Sequence, residues 1–113
     1  MEGDLASVLD ILIAARRIER FMAGSDEPAF LTDEEKHWAV VSQLLIIGEA
    51  VRRLSDGFRS TRTNIPWKQI AGMRDRLIHA YDKINWSLVW ITATQDVPRL
   101  LAELAPLIPP AAE

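Results

Sequence analysis

The 113-residue chain contains no cysteine, two histidines and one tyrosine. Without thiols it can form neither a disulfide nor a thiolate metal site, and the composition suits a reducing cytoplasm, the location expected here. No run of 18 apolar residues occurs, so no membrane-spanning helix is expected. The opening Met1-Glu2-Gly3-Asp4 is acidic, where a secretory signal starts basic. The five glycines are scattered singly. No glycine-rich loop is there to cradle a phosphate, and no Ser-His-Asp set is readable. Strand-like alternation is missing as well. What is present is a chain 49% hydrophobic, which argues against disorder and suffices for a modest core. Residues 1–113 are therefore read as a single domain.

The apolar positions repeat at helical spacing in four stretches. Leu5, Val8, Leu9 and Leu12 predict a first helix from Asp4 to Met22, stopped at Gly24, with a connector over 24–31. Thr32 and Glu35 fit a reciprocal capping pair that would open a second helix. That helix carries two apolar stripes, one through Trp38, Val41, Leu45 and Gly48, the other through Val40, Leu44, Ile47 and Val51. Two stripes imply burial on two sides, as at a bundle centre or a dimer face. Gly48 inside it suggests close helix approach, since an interior glycine costs about 1 kcal/mol against alanine. Gly57 is the expected stop, and 58–65 reads as a loop. Pro66 suits the start of a third helix reaching about Ala80. After a turn at 82–85, Asn85 caps a fourth helix, which Pro98 should kink. Residues 106–113 read as a frayed tail, and the four tryptophans as core. The expected fold class is all-α, a four-helix up-and-down-like bundle.

The net charge of −3 is unevenly spread. Residues 52–79 hold seven Lys/Arg against two Asp, a net of +5 in an otherwise acidic chain. A basic middle is the electrostatic footprint of a polyanion site, unless the charges pair with the acidic first half. Arg53, Arg62 and Arg76 are the expected polyanion contacts within it. Glu49 with Arg52 and Arg53 is most simply an ion pair within one helix.

The basic stretch ends in Arg74-Asp75-Arg76-Leu77-Ile78-His79-Ala80-Tyr81. Arginine matches phosphate with paired donors, histidine exchanges protons near neutral pH, and tyrosine offers a hydroxyl. On one straight helix Tyr81 lies about 20° from Arg74, but His79 lies about 140° away. Either the helix ends near His79 or a second copy of the chain supplies the missing partner. Asp75 and His79, four apart, are expected to pair, with Asp75 orienting the imidazole. Glu34 and His37 have the E-x-x-H spacing of di-iron bundles. Such sites need a second pair and further carboxylates, so no metal site is assigned.

Around this motif the sequence resembles the HepT-like branch of the HEPN ribonucleases, toxins paired with minimal nucleotidyltransferase (MNT) antitoxins. Their R-x4–6-H-x-Y pattern matches Arg74, His79 and Tyr81. Leu45 to Ser55 looks like the family's second helix, and Ile65 to Met73 leads into the motif as family members do. Ile18 to Gly24, Val89-Trp90 and Asp96-Val97-Pro98 also match. The turn Asp82-Lys83-Ile84-Asn85 departs from the family's aromatic-glycine turn, a difference that bears on substrate fit or partner recognition. The resemblance implies a HEPN bundle in a two-fold dimer, with both motifs facing one cleft. It implies a metal-independent endoribonuclease, without cofactor, in which Arg74 stabilises charge at phosphorus and His79 is the general acid or base. Asp75 and Glu49 would support them. Tyr81 would accept AMP from the antitoxin. The rival readings are a HEPN module that binds RNA, nucleotide or a partner without cutting, and a di-metal bundle.

Overall fold

The computed structural model of the chain describes residues 2–109. Its α-helices are α1 (Glu2–Met22), α2 (Glu27–Leu31), α3 (Glu34–Arg53), α4 (Asp56–Ser60), α5 (Trp67–His79), α6 (Trp86–Ile91) and α7 (Val97–Leu104). A π turn over Thr92–Asp96 joins α6 to α7, so these form one long fourth helix. The all-α bundle expected from periodicity is therefore present, with no strand among the described residues. α1 and α3 form the centre; α5 packs on α3, and α7 packs on α1.

Phe30, Ile11, Leu12, Ile18, Ile47 and Leu104 are fully or almost fully removed from solvent. Each such side chain contributes about 1.5–3 kcal/mol of transfer free energy. Ala14 and Ala15 of α1 and Ala50 of α3 are also fully buried, and their small side chains let the central helices come close.

Several boundaries differ from the expectation, each for a local reason. The 24–31 connector contains the short helix α2, capped by Asp26, which accepts from the Ala29 N–H at 2.9 Å. Thr32 ends α2, with its hydroxyl donating to the Ala29 carbonyl, so it does not cap α3. Asp33 takes that place and accepts from the Lys36 N–H at 3.0 Å. α3 stops at Arg53, before Gly57, because Ser55 caps the short helix α4 by accepting from the Phe58 N–H. Pro66 stands just outside α5. Asn85 caps α6 as expected, accepting from Leu88 N–H at 3.1 Å.

In place of a simple kink at Pro98, the backbone widens in the turn before it, and the Val97 N–H reaches five residues back to the Thr92 carbonyl. Proline cannot donate, and the π turn absorbs the mismatch. The expected tail is ordered at its start: Ala105–Leu107 make a 3₁₀ turn and Ile108 is buried. Residues 110–113 lie outside the described residues. Trp38 is 44% exposed rather than core.

Asp4 locks the ends of two helices together. Its carboxylate accepts the Ser55 N–H and the Ser55 hydroxyl, each at 2.7 Å. The backbone N–H, then the hydroxyl, hold the Asp4 carboxyl below its ordinary pKa. A carboxyl so depressed stabilises the fold above the unfolded pKa, and that stabilisation is lost as pH falls through the folded value. Asp4→Asn should thus lower the melting temperature at neutral pH. The gap to the parent should close as pH drops below about 4, the ordinary aspartate range; melting curves across pH 2.5–8 check it.

Candidate active site

α3 and α5 cross where Gly48 meets Arg74. A Cβ at Gly48 would lie 2.9 Å from Arg74 Cγ and closer still to Arg74 Cβ. Only a residue without a side chain lets α5 seat Arg74 at this depth. The close approach expected at Gly48 is thus tied to the motif arginine itself.

Seated there, the Arg74 guanidinium pairs with Glu49 of α3 through Nη2 at 3.3 Å and donates from Nη1 to Asp75 Oδ1 at 3.1 Å. The other Asp75 oxygen accepts from Arg52 Nη2. The four side chains alternate in sign and sum to zero. Its bond with Arg74 first, then the charge of Arg52, hold Asp75 below the ordinary carboxylate range against the opposing pull of burial. The Arg74 side chain is 27% exposed, and a guanidinium has five N–H donors, so several remain for a ligand.

The sequence pairing of Asp75 with His79 does not form. Asp75 is taken by Arg74 and Arg52, so it orients the arginine rather than the imidazole. Likewise Glu49 pairs across to Arg74 rather than with Arg52 or Arg53. Arg53 reaches Asp10 of α1 at 3.3 Å.

His79 is the last residue of α5. Its side chain is exposed and, among the described residues, has no hydrogen-bond or ion-pair partner. The chain then leaves the helix through Ala80 and enters a 3₁₀ turn at Tyr81, which is 68% exposed. The helix therefore does end at His79, yet both Arg74 and His79 lie within it. They remain about 140° apart around its axis, and no polar contact joins them. Within one chain, the motif is not focused on a point.

The expected RNA contacts point different ways. Arg53 faces α1. Arg62 folds over the Phe58 ring, its guanidinium carbon 4.0 Å from the centroid, and donates to Thr61 Oγ1. Arg76 lines the cleft between α5 and the fourth helix. Beside the motif, Arg52, Arg59 and Lys68 line an open cavity together with Asp56 and Asp75.

Among the described residues no cluster of three potential metal ligands occurs. His37 is occupied structurally: its Nε2–H donates to the Phe30 carbonyl at 2.6 Å, and its ring stacks on Trp86 at 3.9 Å between centroids. Glu34 is exposed in the first turn of α3.

An all-α bundle carrying R-x4-H-x-Y at the end of its third long helix defines a HEPN-type nuclease scaffold. The family described as "Ribonuclease HepT-like" matches residues 11–107, and the chain belongs to that family. It is 45% identical over 83 residues to "Putative RNase TTE0752" of Caldanaerobacter subterraneus, covering 74% of this chain and 73% of the relative. It is 38% identical to "Probable ribonuclease HepT" of Thermococcus cleftensis, covering 80% and 83%. It is 36% identical to "Putative RNase MJ1380" of Methanocaldococcus jannaschii, covering 88% and 91%. No solved structure matches. No described helix is long and apolar enough to cross a membrane.

Gly48→Ala should destabilise the fold by about 1–3 kcal/mol through overpacking against Arg74, although alanine favours helix by about 1 kcal/mol. Gly72→Ala, whose new Cβ would meet only Arg76 Nη1 at 3.9 Å, should instead stabilise slightly. Urea unfolding of the pair checks the contrast.

Proposed function

We propose that this ribonuclease is the endoribonuclease toxin of a toxin–antitoxin pair, acting without a metal as a two-fold dimer and silenced by AMP on Tyr81. The observation that carries the reading is the state of the motif. Arg74 is pinned by two carboxylates with donors to spare, while His79 and Tyr81 are open to solvent and unengaged.

The chemistry needs little else. The ribose 2′-oxygen attacks the adjacent phosphorus and gives up its proton to a base. The bond to the 5′-oxygen breaks, and that oxygen takes a proton from an acid. The products are a 2′,3′-cyclic phosphate and a 5′-hydroxyl. An imidazole serves one of the two proton transfers, at a typical worth of about 10²- to 10⁴-fold. A preorganised guanidinium stabilises the phosphorane. Charge stabilisation and proton transfer are thereby supplied by side chains.

The dimer answers the geometry of a single α5. A partner related by a two-fold axis presents the same surface in return, bringing Arg74 of one chain toward His79 of the other. The two helices that carry the Glu49–Arg74 pair suit burial, since Trp38 and Ile46 of α3 and Ile78 of α5 are all exposed apolar side chains. A non-cutting HEPN module would leave Arg74 and His79 replaceable.

Arg74→Ala and His79→Ala should each reduce cleavage of single-stranded RNA by about 10²-fold or more, with the circular dichroism unchanged and EDTA without effect on the parent. Mixing the two inactive variants should restore part of the activity, because each heterodimer rebuilds one complete composite site. No restoration, with exchange of chains verified, removes the shared site; undiminished cleavage by either variant removes the assigned chemistry.

Tyr81 is expected to be the switch. AMP on its hydroxyl sets a phosphate and a bulky base in the 3₁₀ turn that follows His79, where the bulk obstructs the imidazole and the added charge competes for the motif arginine. Co-expression with the nucleotidyltransferase antitoxin should yield chains heavier by whole AMP units, mapped to Tyr81, without RNA cleavage. Tyr81→Phe should accept no AMP and stay active; equal and lasting silencing of Tyr81→Phe places the switch elsewhere.

A further inference from the structure

An open cavity of about 520 Å³ lies beside the motif, between α3, α4 and α5. Arg52, Arg59 and Lys68 stand on its rim with Asp56, Trp67 is part of its wall, and Ala71 and Gly72 leave its floor flat. Asp75 belongs both to this cavity and to the Arg74 ion-pair chain, so the two sites are continuous.

The register of α5 sharpens the connection. Lys68, Gly72, Asp75 and His79 succeed one another at spacings of four, three and four, which keeps them within about 60° on one stripe of the helix. Lys68 and His79, eleven residues apart, differ by only about 20° and stand about 16 Å apart along the axis. His79 therefore looks down a strip that runs through the cavity to Lys68. Arg74 lies on another side, against α3.

The lining fits a nucleotide unit. Arg52 and Arg59 are engaged by Asp75 and by Asp56, the latter 98% exposed. Ion pairs this exposed are weak, about 0–1 kcal/mol, so a phosphate can share or replace the carboxylates. Among the described residues Lys68 has no ion-pair partner. The first turn of α5, which holds Trp67 and Lys68, carries no acidic residue and no side-chain cap, so the helix end favours an anion. The Trp67 indole is fixed, with Nε1–H donating to the Arg59 and Arg62 carbonyls at 3.1 Å.

We propose that this cavity seats a nucleotide of the RNA strand next to the one cleaved at Arg74 and His79, with Arg52, Arg59 and Lys68 holding its phosphate. The assignment rests on the ribonuclease reading above. It makes the Lys68-to-His79 stripe the track of the strand and the cavity a determinant of where the strand is cut.

The test uses the full chain with Lys68→Glu, Arg59→Glu and Gly72→Leu, the last filling the floor from a position where a new Cβ meets only Arg76 Nη1, at 3.9 Å. For a labelled single-stranded RNA, KM should rise about tenfold with kcat within about twofold, and the distribution of cut positions should change in Gly72→Leu. In a His79→Ala background, fluorescence anisotropy should show weaker binding of the same RNA, and Lys68→Glu should lower the salt slope by about one. Parent-like KM, cut positions and affinity in all three variants overturn the subsite while leaving the ribonuclease reading intact. A parent that binds RNA through the cavity but never cuts it leaves the subsite standing and removes the endoribonuclease toxin. Unchanged RNA kinetics with lost binding of the purified nucleotidyltransferase partner overturns the subsite and assigns the cavity to a protein surface.

Discussion

The bare backbone of Gly48 against the side chain of Arg74 is the contact on which the rest of the site depends. It sets the separation of α3 and α5, and that separation fixes what the guanidinium can reach. At this depth Glu49 and Asp75 both fall within pairing distance of Arg74. Asp75 then draws in Arg52, and with it the edge of the neighbouring basic cavity. A small residue inside a helix usually weakens it; here the loss in α3 is offset by the order imposed on α5.

That order has an electrostatic side. An isolated arginine on an exposed helix would be a flexible cation, able to bind any phosphate and to position none. Flanked by two carboxylates, the Arg74 head group is held in one orientation. An incoming phosphate meets a charge already partly neutralised by its neighbours, so binding relies on geometry as much as on attraction. Glu49 is about half exposed and is the partner most easily displaced into solvent, whereas Asp75 is also anchored by Arg52.

Much of the bundle was legible because amphipathic periodicity is a local signal. Spacing read α1 from Leu5, Val8, Leu9 and Leu12, of which Val8 and Leu12 are buried and Leu5 is exposed; the Asn85 cap and the approach at Gly48 also came from short spacings. Helices of five residues were not legible. α2 and α4 have too few turns for a periodic pattern, and their caps, Asp26 and Ser55, look like ordinary loop residues in sequence. The site was legible as a motif and misread as a network. Spacing alone paired Asp75 with His79 and Glu49 with Arg52, because it sees only neighbours on one helix. Two of the three observed pairs, Glu49 with Arg74 and Arg52 with Asp75, join crossing helices, the latter separated in sequence by 23 residues. His37 illustrates the same limit, since the ring of Trp86 that it stacks on lies in another helix.

The π turn at Thr92–Asp96 bears on how this chain tolerates changes of length. One turn there carries one residue more than an α-helical turn, so the extra residue is held without rotating the downstream helix. Removing a single residue from this segment would close it into ordinary α-helix and leave Val89 on one side, and Val97 and Leu100 on the other, facing the same core. The same deletion elsewhere in the fourth helix would turn the downstream face by about 100° and strip Leu104 from the centre of the bundle. Length variation within the last helix is therefore expected to concentrate at this turn, immediately ahead of the proline that it accommodates.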